Sequence, residues 1–300
     1  MSNPGVTQIE KITSSAPFQL NKVIKMKKTT QTIWFLNMKN KKDAIINAVL
    51  LVAIVIVYVY ITNIMFDFFS PEAPSNTQEK FVDSSLWFDA STENYLSFTP
   101  STDGTSNYIF TVSFWVKRGS FADSYQPLWD IDETTIVFNN DKLHGNLRGT
   151  EWGNYSWTTK VVFRDPSAWY HIVAAWDSTQ SKDINRFKLY VNGRIQKFSS
   201  ISYMPQHTEM KDTQTHYIGQ NGLGNYYFDG YLVDYYMIDG QQLTPSSFGE
   251  KSDYGGIWKP IEYDGTFGTN GFYLDFDGSE LGSKKIIDSS PNQHSITVNG

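Results

Sequence analysis

The chain of 300 residues contains no cysteine. This absence excludes a disulfide framework, a cysteine-ligated zinc site and a thiol nucleophile. Its five histidines are scattered, without the His-x-His or His-x-x-x-His spacing that would bring two ligands to one zinc ion. Any folded domain in this chain must therefore be held together by packing.

Motifs of common enzymes are also missing. The chain has no Gly-x-Ser-x-Gly nucleophile elbow. The segment Gly222-Leu223-Gly224 lacks the third glycine and the helix that a phosphate-binding loop requires. No internal repeat has the period of a solenoid or a propeller. We therefore expect a protein that is not an enzyme.

One long apolar run stands out, from Ala44 to Phe66, and it contains no charged residue. As a helix it would span about 34 Å, which matches the hydrocarbon core of a bilayer. Aromatic residues gather near its C-terminal end, as they do at membrane interfaces; they are Tyr58, Tyr60, Phe66, Phe68 and Phe69. The run predicts a transmembrane helix.

Charge predicts the orientation of that helix. Residues 1–43 hold eight lysines against Glu10 and Asp43, a net charge of +6, so the remaining residues carry −12 of the total of −6. Because basic flanks stay in the cytoplasm, we expect a cytoplasmic N-terminus and an acidic domain outside. Lys22–Lys42 interleaves lysines with apolar residues, which is typical of an interfacial helix or of a disordered basic tail. No specific nucleic-acid partner is expected.

The chain divides by composition. Residues 1–43 are the basic tail, 44–66 the spanning segment and 67–81 a linker rich in Pro, Ser and Glu. Residues 82–276 contain many short alternating segments and aromatic residues, which predict an all-β domain of about 200 residues. Residues 277–300 are polar and are expected to be a loosely held tail.

The segment Ala168–Ile195 contains the clearest strand pattern. Apolar residues occupy both faces of Trp169–Trp176, so both faces of this strand are expected to be covered. A second strand alternates from Phe187 to Asn192. The dipeptide Asn192-Gly193 tolerates the positive φ angles of a type I′ turn, so we predict a hairpin here.

These segments carry a family resemblance. WYHIVAAWD followed by KLYVNGRIQ resembles the laminin-G-like, concanavalin A-like lectin/glucanase superfamily, as do Phe110–Gly119, His216–Gly222 and Phe228–Thr244. The likeness covers about Ser85 to Gly249 and implies an antiparallel two-sheet jelly-roll sandwich. Phe267–Phe276 is similar to domains in structural proteins of tailed phages and large algal viruses. This architecture hosts lectins, adhesion modules, hydrolases and structural units.

The resemblance also implies where chemistry would lie. Hydrolases of this fold use a Glu-x-Asp-x-x-Glu pattern, which the chain lacks; Asp130 and Asp132 are its nearest pair on one strand face. Laminin-G-like domains often hold Ca²⁺ at the sandwich rim, which implies Asp177 as a ligand, with Asp130, Asp132 and Asn221 as candidate neighbours. All four are equally explained as residues of turns and exposed strand edges.

Carbohydrate binding would use exposed aromatic rings beside amide groups. Two segments supply them, and the candidate residues are Trp152, Tyr155, Trp157, Asn225, Tyr226 and Tyr227. The alternative is that part of this set packs against the second sheet. Asn154-Tyr155-Ser156 is also an N-glycosylation sequon, which matters if the host glycosylates the exposed side.

Three functions follow from these features. The first is a single-pass membrane protein that displays a lectin-like sandwich for carbohydrate or protein binding in adhesion or host attachment. The second is a virion structural protein that links membrane and capsid without a glycan ligand. The third is a membrane-tethered glycosidase built on Asp130 and Asp132. The oligomeric state stays open.

Overall fold

The computed structural model describes residues 50, 52–58, 84–132, 134–148, 154–210, 213–253, 255–276 and 286–300. The chain forms two compact units, residues 1–78 and residues 79–300. In the first unit, residues 50 and 52–58 are helical and their side chains are exposed. The rest of the expected membrane-spanning segment lies outside the described residues. Within the described part of the chain, no helix is long and apolar enough to cross a membrane.

The second unit is built of antiparallel strands. In chain order they are β1 (Leu86–Phe88), β2 (Tyr95–Phe98), β3 (Ile109–Arg118), β4 (Tyr125–Ile131), β5 (Thr134–Asn139), β6 (Lys142–Arg148), β7 (Asn154–Thr159), β8 (Tyr170–Asp177), β9 (Phe187–Val191), β10 (Arg194–Ile195), β11 (Phe198–Ile201), β12 (His216–Ile218), β13 (Gly230–Asp239), β14 (Gly249–Lys251), β15 (Trp258–Pro260), β16 (Phe272–Leu274), β17 (Ile286–Ile287) and β18 (Ser295–Asn299). Short 3₁₀ turns occupy Ala90–Thr92, Asp183–Asn185 and Pro245–Ser247.

These strands form two large sheets and a small one. A seven-stranded sheet has the order β1-β13-β3-β8-β9-β10, with β16 also paired to β13. A nine-stranded sheet has the order β11-β7-β6-β5-β4-β12-β2-β18-β17, and β14 pairs with β15. The predicted all-β sandwich of antiparallel sheets is confirmed, and its layers are those a jelly roll requires.

The main core lies between the two large sheets. Alternate residues of β3 point into it, and Phe110, Val112 and Phe114 are almost fully buried. The rings of Phe110 and Trp176 stack with centroids 4.5 Å apart. Each large apolar side chain buried in this way contributes about 1.5–3 kcal/mol, so packing alone can hold a domain that has no disulfide.

A second apolar cluster covers the outer face of the seven-stranded sheet. It consists of Val173, Tyr236, Ile238, Phe248, Tyr263, Phe267 and Tyr273. The rings of Tyr236 and Tyr273 stack at 4.2 Å. Strand β8 is consequently packed on both sides, which confirms the expectation drawn from its apolar residues.

The predicted hairpin after β9 is confirmed. Asn192 and Gly193 have φ angles of 47° and 74°, the positive values that a type I′ turn needs at both positions. A Cβ atom on Gly193 would lie 2.6 Å from the ring of Trp258. Glycine is therefore required here for conformation and for space.

One buried cation joins the two sheets. Arg118 in β3 is 2% exposed and donates from Nε to Gln126 Oε1 in β4 at 3.1 Å. Its Nη1 donates to Asp141 Oδ1 at 2.9 Å and to the carbonyl of Phe163 at 2.8 Å. Burial lowers the pKa of this guanidinium, and the hydrogen bond and charge of Asp141 oppose that shift. A buried charge of this kind is tolerated because it is paired and hydrogen-bonded.

Residues 277–300 were expected to form a loosely held tail, and this prediction is wrong for residues 286–300, which contain β17 and β18. Strand β18 pairs with β2, with Val298 opposite Leu96, and Ile296 is 6% exposed. Asp288 accepts backbone N–H groups from Tyr273, Ser290 and His294. The segment is polar because only one face of this strand meets the core.

Candidate functional site

A row of side chains crosses the outer face of the nine-stranded sheet. Strand register places Asn146 of β6 opposite Thr135 of β5, Thr135 opposite Asp130 of β4, and Asp130 opposite Tyr217 of β12. Residues directly opposite one another in an antiparallel pair point to the same face. Four chain segments thus supply one continuous polar row.

A cavity of about 390 Å³ lies over this row. Its size is within the range of small-molecule sites. Loops at the ends of the strands complete its walls, and the lining residues are Tyr125, Asp130, Asp132, Thr135, Asn146, Gln214, Thr215, Tyr217, Asn221, Gly222 and Leu223. Among the side chains that the structure describes, none of those lining this cavity is a lysine, arginine or histidine.

Two carboxylates belong to the cavity wall. Asp130 is 3% exposed, whereas Asp132 is partly exposed in the turn after β4, where its φ is 46°. A Cβ atom on Gly222 would lie 2.9 Å from Asp130 Oδ1. Gly222 has no side chain, which allows the loop after β12 to approach Asp130 closely.

Tyrosines form the aromatic part of the site. The rings of Tyr125 and Tyr226 are 4.8 Å apart, and Tyr226 is 48% exposed. Tyr95 contacts both Tyr217 and Tyr227, with centroids 6.1 and 6.3 Å apart. Burial, followed by the charge of Asp130, raises the pKa of Tyr125. Its hydroxyl keeps its proton at neutral pH and can act as a donor.

Asn221 holds the loop that carries Tyr226. Its Oδ1 accepts the backbone N–H groups of Asn225 at 2.9 Å and Tyr226 at 3.0 Å. This is the side-chain bonding by which asparagine stabilises turns. Asn221 therefore positions the aromatic loop at the cavity.

The carbohydrate candidates have different positions. Tyr226, Tyr227 and Asn225 lie on the loop beside the cavity, and Tyr155 is half-buried against the core. Trp157 is 3% exposed and stacks on Phe187 at 5.0 Å, so its assignment as a binding residue is wrong. Strand β7 turns that ring inward because Tyr155, Trp157 and Thr159 alternate on one face.

Two further candidates are placed only in part. Trp152 lies outside the described residues. Asn154, the sequon asparagine, is the first residue of β7 and pairs with Arg148 of β6. Its glycosylation stays a prediction.

The expected calcium ligands are only partly brought together. Asp130, Asp132 and Asn221 line the same cavity, but Asp177 ends β8 in the other large sheet. Asp177 accepts hydrogen bonds from Thr179 and Gln180 and so stabilises its own turn. Grouping Asp177 with the other three was therefore wrong. No set of three or more His, Cys, Asp or Glu side chains that could hold a metal occurs among the described residues. Calcium binding stays a prediction.

Several lining residues could not be singled out from the sequence. Tyr125, Thr135, Asn146 and Tyr217 are common residue types on exposed strand faces. What makes them a site is the insertion of β12 between β2 and β4. Tyr217 lies within His216–Gly222, so the family-like segment marks one wall of the cavity.

The chain has distant similarity to several solved structures. No curated protein sequence matches the chain. Similar solved structures include a SAP-like pentraxin from Limulus polyphemus (16% identity, 51% of this chain and 79% of that chain, TM-score 0.33), domains LG4-5 of the mouse laminin alpha1 chain (12%, 63% and 47%, 0.39) and the Ruminococcus gnavus IT-sialidase CBM40 bound to alpha2,3 sialyllactose (14%, 51% and 89%, 0.34). The chain spans about half the length of that laminin structure.

The family model of the concanavalin A-like lectin/glucanases superfamily matches residues 90–246. The matched range is more than half of the 300 residues and contains every described residue that lines the cavity. The chain therefore belongs to the concanavalin A-like lectin/glucanase superfamily.

Proposed function

We propose that the domain binds carbohydrate in the cavity on the nine-stranded sheet and does not cleave it. The observation that supports this proposal is a cavity of about 390 Å³ that lies over the polar row and beside the loop of the exposed Tyr226. A sugar presents hydroxyl groups along its edge and an apolar face of C–H groups. A ligand site of this kind needs a few well-placed polar groups and an aromatic surface.

The polar groups of the cavity match hydroxyl ligands. The amides of Asn146 and Gln214 each offer two N–H donors and a carbonyl acceptor, and Thr135 offers a hydroxyl. Tyr226 is 48% exposed, and its ring contacts Tyr125 of the cavity wall. The loop is held by Asn221, which lowers the entropy cost of binding.

We also propose that residues 44–66 anchor the protein in a membrane, with the lysine-rich residues 1–43 in the cytoplasm and the β domain outside. The uncharged apolar run and the +6 charge before it support this arrangement. Such a protein would present the cavity to glycans of another surface in adhesion or attachment. Extraction at alkaline pH tests the anchor: release of the intact chain would contradict it.

A glycan array tests carbohydrate binding, with the full-length chain in lipid nanodiscs. We expect signals for specific glycans. Tyr226→Ala should lower the affinity for the best ligand at least about tenfold, or about 1.4 kcal/mol. Trp87→Ala is the matched control, because Trp87 is 55% exposed and belongs to the seven-stranded sheet. An array without signals would favour a purely structural protein.

Hydrolysis is tested on the same ligand. Incubation with the protein should leave the oligosaccharide intact, as judged by mass spectrometry. Cleavage that is abolished by Asp130→Asn or Asp132→Asn would replace a binding function with a glycosidase function.

A further inference from the structure

We propose that the ligand is a linear glycan of several sugar units that lies across the strands of the nine-stranded sheet, so that the cavity holds only its middle part. This inference deepens the proposed function and rests on it. It names the class of ligand, an oligosaccharide bound along its length, and assigns further binding residues on both sides of the cavity.

The polar row continues on both sides of the cavity. On one side, Asn146 lies opposite Ser156 of β7. On the other side, Tyr217 lies opposite Ser97 of β2, and Ser97 lies opposite Thr297 of β18. The row with these additions, called the extended row below, crosses seven neighbouring strands in the order β7, β6, β5, β4, β12, β2 and β18. Each of the three added residues carries a hydroxyl group.

The added residues lie on the outer face of the sheet. Each has a neighbour in sequence that is buried in the main core: Phe98 for Ser97, Ile296 for Thr297 and Trp157 for Ser156. Because successive side chains of a strand point to opposite faces, the three hydroxyl groups point away from the core. Thr297 is exposed, and Ser97 and Ser156 are partly exposed. A ligand on the outer face can therefore reach all three.

The extended row is about twice as long as the cavity. Along this row, the cavity lining reaches only from Asn146 to Tyr217. Neighbouring strands are about 4.8 Å apart, so these four strands span about 14 Å and all seven span about 29 Å. A ligand confined to the cavity would leave both ends of the extended row without a contact. A chain of linked sugars carries hydroxyl groups along its whole length and can contact every member.

Aromatic rings accompany the extended row on the side of β2. Tyr95 lies two residues before Ser97 on the same face of this strand, and its ring contacts those of Tyr217 and Tyr227. All three tyrosines are partly exposed. Asn299 lies opposite Tyr95, and its Nδ2 donates to Ser97 Oγ at 3.0 Å. This end of the row thus has an aromatic surface beside hydroxyl and amide groups, the combination that the cavity also offers.

Oligosaccharides of graded size test the length of the ligand. The probes are linear glucans, mannans and xylans of two to eight sugar units, immobilised on an array and presented to the full-length chain in lipid nanodiscs. For the series that binds, we expect the octasaccharide to bind at least tenfold more tightly than the disaccharide. The reason is that each unit beyond the cavity adds contacts with the extended row.

Variants at the two ends of the extended row separate added contacts from a statistical effect, since a long chain also offers more positions at which it can bind. Ser97→Ala combined with Thr297→Ala, and separately Ser156→Ala, should each weaken octasaccharide binding at least threefold and leave disaccharide binding unchanged. A gain with chain length that is the same in these variants as in the wild type would overturn the proposal. Tyr226→Ala should weaken binding of both probes, because Tyr226 contacts Tyr125 of the cavity wall.

A control removes a hydroxyl group elsewhere. Ser246 is exposed in the 3₁₀ turn after β13, outside the nine-stranded sheet, so Ser246→Ala should keep the full dependence on chain length. Ser156→Ala alone provides the test if the variant of β2 and β18 fails to fold. Equal affinity for short and long members, or binding only to the terminal sugars of branched glycans, would overturn the extended ligand while leaving carbohydrate binding intact. Absence of binding to every sugar on the array would contradict the proposed function itself.

Discussion

The outer faces of the two large sheets differ: one is covered by apolar side chains, and the other carries a cavity. The seven-stranded sheet is covered by a second apolar cluster that includes Tyr236, Phe248 and Tyr273. The nine-stranded sheet instead carries a polar row and a cavity in its outer face. Both sheets share one core, but Phe248, Tyr263 and Phe267 from the segment after β13 pack on the outer face of the seven-stranded sheet alone.

This contrast indicates that one outer face contributes to stability and the other to ligand binding. Aromatic residues on the outer face of the seven-stranded sheet are buried by packing, as in the stacked pair of Tyr236 and Tyr273. In the open sheet, aromatic residues such as Tyr226 lie on a loop and remain half exposed. Substitutions on the first face should therefore change stability, and substitutions on the second should change binding.

The largest effect is expected in the cover of the seven-stranded sheet. Phe248 is 1% exposed and contacts the rings of Tyr236 and Tyr263. Phe248→Ala should lower the free energy of unfolding by about 3–5 kcal/mol, because it leaves a cavity in a packed cluster. Urea denaturation measures this loss. A loss below about 1 kcal/mol would mean that the cover is not an integral layer of the fold.

The next effect is a pH dependence that arises on the same covered face. Trp258 Nε1 donates to Nδ1 of His171 at 2.8 Å, so the neutral ring carries its proton on Nε2, which is 2.9 Å from Ser113 Oγ. Trp115 stacks on this ring at 4.9 Å. Burial lowers the pKa of His171 from 6.5 to about 3. Protonation therefore favours the unfolded state below pH 6.5.

Stability should be unaffected by His171 above pH 7 and should fall by about 2 kcal/mol between pH 7 and pH 5. The contribution of this residue is the difference between wild type and His171→Gln, since burial also lowers the pKa of His144. Chemical denaturation at several pH values measures the difference. A ring whose NMR signals titrate near pH 6.5 in the folded protein would contradict the prediction.

The smallest effect on stability is expected at the open face. Tyr226→Ala and Asn146→Ala should change the free energy of unfolding by less than about 1 kcal/mol, because neither side chain belongs to the core. Thermal melts of both variants measure this. A loss comparable to that of Phe248→Ala would show that the cavity wall is part of the framework, and would remove the contrast between the two sheets.

Local pattern predicted much of the sandwich. Apolar residues on both faces of β8 and the dipeptide Asn192-Gly193 specify a doubly covered strand and a tight turn, because these signals depend on neighbours in sequence. The C-terminal strand was missed, although Ser295–Asn299 alternates. Its single buried residue, Ile296, gives too weak an apolar signal to distinguish an outlying strand from a loop.

The site was less predictable than the fold. The spacing of Asp130 and Asp132 predicts that they share one strand face, but only Asp130 lies on β4. Asp132 follows in the turn, with a φ of 46°, and both still line one cavity. The polar neighbours of Trp157 favour an exposed binding residue, whereas its strand turns the ring into the core. The partners of Asp130 in the polar row come from other strands, and their register depends on long-range pairing that no local pattern specifies.

The position of β12 has a consequence for synthesis. This strand fills the place between β2 and β4, yet it follows β4 by more than eighty residues in the chain. During synthesis on the ribosome, β2 and β4 therefore cannot be joined into one sheet until β12 has been made. The last wall of the cavity arrives with Asn221–Leu223, so a nascent chain gains its binding site only after most of the domain has emerged, and this distant pairing is expected to be a slow step of folding.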